Sequence, residues 1–150
     1  MAFSYEVVVR SSAPPERIFA LLADATSWPS WANPVVGHGS WEREGEPPPG
    51  GVGAIRKVGR WPVLGREAVV AHDPPTHHAY TILSGQPVRS YRADVVLTAD
   101  GTGTVITWGA TFEPRVRGTG PALRAFYRRL IGWFAHRVAR HAEAHDAPGA

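Results

Sequence analysis

From about Gly120-Pro121 to Ala144 the chain places apolar residues at helical spacing with no interior proline. At 1.5 Å per residue this is a single rod about 37 Å long. At 100° per residue Leu123, Phe126, Tyr127, Leu130, Ile131, Phe134, Val138 and His141 fall on one stripe. Arg124, Arg128, Arg129 and Arg140 fall off it. A stripe this broad and this aromatic needs an equally broad apolar partner, and the rest of the chain must supply it.

What precedes the rod reads mostly as strands. Residues 3–10 alternate, with Phe3, Tyr5, Val7 and Val9 on one side. Further strand signals cover roughly 36–43, 52–59, 64–72, 77–84, 89–98 and 103–112. Between them stand Pro47-Pro48-Pro49-Gly50, Arg60-Trp61-Pro62, Asp73-Pro74-Pro75, Ser84-Gly85-Gln86-Pro87 and Asp100-Gly101, all turn chemistry. Connections this short make hairpins and an antiparallel sheet. The 16 glycines and 14 prolines agree with many turns. One face groups Tyr91, Ala93, Val95 and Leu97; another groups Thr104, Ile106, Trp108, Ala110 and Phe112. Two short helices are expected after the first strand. The first opens at Ser11-Ser12-Ala13-Pro14-Pro15-Glu16 with a serine cap and fails by Asp24. The second spans Trp28-Pro29-Ser30-Trp31 and stops near Asn33-Pro34. The predicted architecture is α+β: seven antiparallel strands curved around a long C-terminal helix, a helix-grip arrangement within one domain over residues 1–150.

Several classes of function recede on composition. The chain has no cysteine, so it has no disulfide framework, thiolate nucleophile or cysteine zinc site. No apolar run reaches the length of a membrane span, and the first residues lack a signal-peptide core, so the expectation is a soluble, cytoplasmic protein without stable membrane insertion. A net charge of +3 comes from 15 arginines and one lysine scattered along the chain, with a local excess from Arg115 to Arg140. No basic stripe with interleaved stacking aromatics appears, so nucleic acid is not an expected partner. His141 and His145 stand four apart on one helix, but His141-Ala142-Glu143-Ala144-His145 is not the order of a zinc protease, and no metal or cofactor is expected. Gly51-Val52-Gly53 opens a strand rather than a helix and so cradles no phosphate.

Four stretches then carry a resemblance. Ser12-Ala13-Pro14-Pro15-Glu16-Arg17-Ile18-Phe19-Ala20-Leu21-Leu22-Ala23-Asp24, Trp28-Pro29-Ser30-Trp31-Ala32-Asn33-Pro34-Val35, His72-Asp73-Pro74-Pro75-Thr76-His77-His78-Ala79-Tyr80 and Gly103-Thr104-Val105-Ile106-Thr107-Trp108 resemble the Bet v 1/START-like (SRPBCC) superfamily, in particular its bacterial polyketide cyclase/dehydrase and lipid-transport group. The resemblance implies the helix-grip fold and a cavity between sheet and helix for an apolar small molecule: a lipid, a polyketide or an aromatic metabolite. It does not fix an activity, because one fold hosts many functions.

A bent sheet cannot touch a straight helix everywhere, which leaves space where they diverge. The expected wall is Tyr5, Val7, Arg56, Tyr80, Ile82, Tyr91, Ala93, Val95, Ile106, Trp108, Phe126, Tyr127, Leu130 and Phe134. The same residues could equally fill a solid core. Tyr80, Tyr91 and Tyr127 either orient a ligand carbonyl, act as acids, or bond backbone and water. In residues 53–58 either phase, Lys57 or Arg56 inward, brings one cation, and an internal Arg56 would anchor an oxyanion. Arg137, at the margin of the stripe, reaches either the cavity mouth or solvent. Trp28, Trp31, Trp41 and Trp61 either cover the mouth or pin helix to sheet. Three readings follow: a carrier of an apolar molecule, a cofactor-independent cyclase, aromatase or dehydratase with its catalytic residues unassigned, and a partner-binding regulatory domain. The chain is expected to be a monomer or a weak homodimer.

Overall fold

The computed structural model describes residues 1–144. Strand β1 (Phe3–Ser11) leads into helix α1 (Pro15–Ala23), a single 3₁₀ turn (Ala25–Ser27) and helix α2 (Trp28–Ala32). Six strands follow: β2 (His38–Arg43), β3 (Ile55–Arg60), β4 (Val63–Asp73), β5 (His77–Ser84), β6 (Val88–Asp100) and β7 (Gly103–Pro114). Helix α3 (Gly120–Ala144) is the last element of the described residues. The sheet runs β1-β7-β6-β5-β4-β3-β2, antiparallel at every pairing. The two short helices carry the chain from one edge strand, β1, to the other, β2. This is the helix-grip fold.

Local chemistry explains most boundaries. Pro15 occupies the first turn of α1, where its missing N–H costs nothing. The helix stops at Asp24, whose carboxylate accepts from the Thr26 amide (3.0 Å) and hydroxyl (2.7 Å) to start the next turn. The expected serine cap is absent: Pro14 holds the cap position with no side-chain bond. Ser11 is engaged elsewhere, its hydroxyl donating to Ala139 O (3.1 Å) and accepting from the Ala13 amide (3.2 Å). Strand β3 begins at Ile55, three residues later than the alternation suggests, because residues 52–54 form a loop that bonds across to Val69. Gly85, at φ +95°, turns β5 into β6; a Cβ there would lie 2.7 Å from Leu64 O, so the close approach requires glycine.

The inward faces of β6 and β7 are fully buried at Tyr91, Ala93, Val95, Leu97, Ile106, Trp108 and Phe112. Against them stand Trp28 and Trp31 of α2 and Phe134 of α3. Trp108 meets Trp28 edge-on at 6.2 Å and stacks on Phe134 at 6.4 Å. Such pairs add to the burial of the rings themselves.

The face that α3 buries is rotated from the expected stripe. It comprises Tyr127, Ile131, Phe134, Ala135, Val138, Ala139 and Ala142. Phe126 is 55% exposed and Leu130 is half-buried. Weighting by large side chains drew the stripe toward Phe126, whereas the true centre includes three alanines that let the helix approach the sheet closely. Gly132 lies on the sheet side: a Cβ there would meet Val7 Cγ1 at 3.8 Å.

Candidate functional site

A cavity of about 480 Å³ opens between the first half of α3 and strands β3, β4 and β5. This lies within the range of small-molecule sites. Its helical wall is Phe126, Tyr127, Leu130, Ile131 and Phe134; Val58, Gly65, Glu67, Tyr80, Ile82 and Tyr91 line the sheet side. Trp28, Val35 and Val36 close one end, and Gly85, Gln86 and Pro87 of the β5–β6 turn close the other. Arg60 and Val63 also line it. Arg60 is held in place by donating from Nε to Pro34 O (2.6 Å).

Seven of the expected wall residues border this space: Tyr80, Ile82, Tyr91, Phe126, Tyr127, Leu130 and Phe134. The other seven lie outside its lining. Ala93, Val95, Ile106 and Trp108 are sealed in the aromatic core. Val7 packs beneath α3 near Gly132. The Tyr5 hydroxyl bonds that of Tyr91, and its ring stacks on Tyr127 at 6.4 Å. These residues share the inward face, but the helix covers them because it meets the β1 side of the sheet without a gap.

Arg56 does point inward, so the phase of β3 is settled: Arg56 and Val58 are buried, while Lys57 faces out toward Glu42 at 3.7 Å. The guanidinium is wholly buried just behind the cavity wall. Its Nε donates to Glu67 Oε1 (2.9 Å), and Nη1 donates to Leu22 O (3.0 Å). The rings of Trp28 and Tyr80 face it at 5.1 and 4.9 Å. A cation enclosed by two aromatic faces and a carboxylate is compensated on several sides.

Glu67, directly opposite Arg56 in the β3–β4 pairing, is the wall residue that the sequence reading overlooked. Its signal was present: Gly65, Glu67 and Val69 share one side of β4. Burial raises its carboxyl above the usual carboxylate range, and Arg56 opposes that rise. One carboxylate oxygen is taken by Arg56; the other has no hydrogen-bond partner among the described residues.

The tyrosines are hydrogen-bond donors rather than ready acids. Burial lifts Tyr5 above the ordinary phenol range and Tyr80 and Tyr91 well above it, and pushes Tyr127 up to about 12. The Tyr127 hydroxyl donates to Gln86 Oε1 (3.0 Å), tying α3 to the β5–β6 turn at the cavity edge. Arg137 lies outside the cavity lining and is exposed to solvent, while it donates to Trp31 O (3.0 Å) and Asn33 O (3.1 Å), fixing the end of α2. Trp28 of α2 lines the cavity, Trp31 of α2 is buried, and Trp61 stands 81% exposed at the β3–β4 turn. Trp41 packs against Gly50. No group of three or more metal-ligating side chains occurs among the described residues, and His145 lies outside them. Among the described residues, no helix is long and apolar enough to cross a membrane.

Residues 2–143 match the family described as polyketide cyclase/dehydrase and lipid transport. The chain belongs to this family. It is 31% identical over 131 residues to uncharacterized proteins of Mycobacterium tuberculosis and Mycobacterium bovis, covering 85% of this chain and 74% of theirs. Its fold is similar to that of the crystal structure of Ara h 8.0201, with a TM-score of 0.76 and 19% identity over 97% of this chain and 100% of the other. Family and fold together support a domain that binds a hydrophobic ligand.

Proposed function

We propose that the protein holds a small apolar molecule (a lipid, a polyketide or an aromatic metabolite) between β3–β5 and the first half of α3. The observation that supports this most is the cavity itself: about 480 Å³ bordered mainly by Val36, Val58, Ile82, Leu130, Ile131 and Phe134. Space lined by apolar groups is costly to leave unfilled in a folded core, and an apolar guest recovers the lost contacts. Trp28 in the wall provides an intrinsic reporter. A panel of fluorescent fatty acids and flat polyphenols is expected to bind at micromolar levels and quench tryptophan emission. Val58→Phe, which fills the space, is expected to abolish that binding while the protein stays folded. Failure of the whole panel would defeat the proposal.

A second reading, cyclisation or dehydration of a polyketide-like chain without a cofactor, is favoured by Glu67. A cavity carboxyl whose affinity for its proton is raised by burial is suited to general acid–base work. Its test is turnover of a poly-β-ketone thioester, lost in Glu67→Gln. A partner-binding role would be favoured by a filled core with an exposed apolar patch, and the cavity supports the ligand reading instead.

A further inference from the structure

The cavity is apolar on most sides, and several of its polar groups are already hydrogen-bonded. Tyr127 is bonded to Gln86, Tyr91 to Tyr5, and Arg60 to Pro34 O. At Glu67 one oxygen accepts from Arg56, and the other has no hydrogen-bond partner among the described residues, on a side chain that lines the cavity. An unpaired carboxylate oxygen facing a mostly apolar cavity is a ready acceptor for a donor on a guest. We infer that the guest is a neutral alcohol or phenol whose hydroxyl meets this free Glu67 oxygen while its apolar body fills the space toward Leu130 and Phe134. The inference rests on the ligand-binding reading above and narrows it.

Charge accounting separates the alternatives. The Arg56 guanidinium and the Glu67 carboxylate compensate each other within a buried pair. An ammonium guest would place a second cation beside Arg56 in a dry setting, and a carboxylate guest would set two acceptors against each other. A ketone cannot donate to an ionised carboxylate. A hydroxyl both donates and accepts, so it satisfies Glu67 in either protonation state.

The test uses the intact protein and three probes of one shape: hydroxypyrene, pyrene and pyrenecarboxylate, followed by probe fluorescence and tryptophan quenching. Hydroxypyrene is expected to bind about tenfold or more tighter than pyrene, the range of a hydrogen bond to a charged group, with pyrenecarboxylate weakest. In Glu67→Gln, which keeps an acceptor but loses the charge, the ratio of hydroxypyrene to pyrene affinity is expected to shrink to about threefold. Competition extends the question to chain alcohols: dodecanol should displace bound hydroxypyrene better than dodecanoate does. Equal affinity of hydroxypyrene and pyrene for the wild-type protein would overturn the inference and leave the apolar-cavity reading standing, as would tighter binding of either carboxylate. If none of the probes binds, the cavity reading and the inference fall together.

Discussion

From Ala135 to Ala142 the long helix turns alanines and Val138 toward the sheet, each with at most 1% of its surface exposed. From Phe126 to Phe134 the same helix presents rings and branched chains, and space remains among them. The first stretch is fastened by polar ties as well: Ser11 donates to Ala139 O, and the Ser12 amide donates to Glu143 Oε2 (3.0 Å). Beneath the second stretch the strands are β3, β4 and β5, whose inward residues include Gly65 and Val58 rather than tryptophans. Small residues on the helix permit close approach, whereas large residues facing small ones leave a gap. The helix is therefore anchored at one end and spans a cavity at the other, so fold stability and ligand capacity are largely separable along its length.

Several substitutions would break or sharpen that contrast. The largest effect is expected at the buried ion pair behind the cavity. Glu67→Ala leaves a guanidinium that cannot shed its proton, and the loss is about 3–5 kcal/mol in denaturant unfolding. Arg56→Met is expected to cost less, because the stranded Glu67 can protonate. A similar loss in both would contradict that asymmetry. Next, Ala139→Leu in the anchored half should cost about 1–3 kcal/mol through overpacking, whereas Val58→Phe in the open half should cost under about 1 kcal/mol. Equal costs would mean that the two halves are packed alike.

Acid should act chiefly through His78. Burial holds its imidazole down to about 2, with Arg56, His72 and His77 acting in the same direction, against an ordinary value of 6.5. The unfolded chain therefore binds a proton there before the folded one does. Its effect on stability is nil above about pH 6.5 and grows unfavourable as pH falls toward 2, by up to about 1.4 kcal/mol per unit. Glu67 works oppositely: its raised value favours the folded state as pH drops. His78→Leu should flatten the acid limb of urea midpoint against pH; an unchanged limb would exclude His78 as its source. At the alkaline end, the four tyrosines should show no tyrosinate absorbance near pH 10 while the protein is folded, then rise together as it unfolds. The smallest effect is expected from Gly132→Ala, which fits against Val7 and should raise stability by roughly 0.5–1 kcal/mol.

Element order, hairpins and the long helix were legible in the sequence because alternation and turn residues are local signals, whereas the β1–β7 pairing is not local and was not read. The cavity wall was only half legible. Inward parity could be read for Tyr91 and Trp108 alike, yet Tyr91 borders the space and Trp108 is sealed, since that depends on where the helix comes close. Alanines decide the close approach, and a stripe drawn through the largest side chains passes over them. The phase of β3 was undecidable alone, because Ile55 and Val58 have opposite parity. Only its pairing with β4 brings Glu67 opposite Arg56, and a cross-strand partner is not a local property.

Amide chemical shifts during titration with hydroxypyrene address the central claim most directly. If the guest occupies the open half, shifts should concentrate at Val58, Glu67, Ile82, Tyr91 and Ile131 and leave Val138, Ala139 and Ala142 in place. Shifts centred on Ala135 to Ala142, or spread evenly along α3, would contradict it.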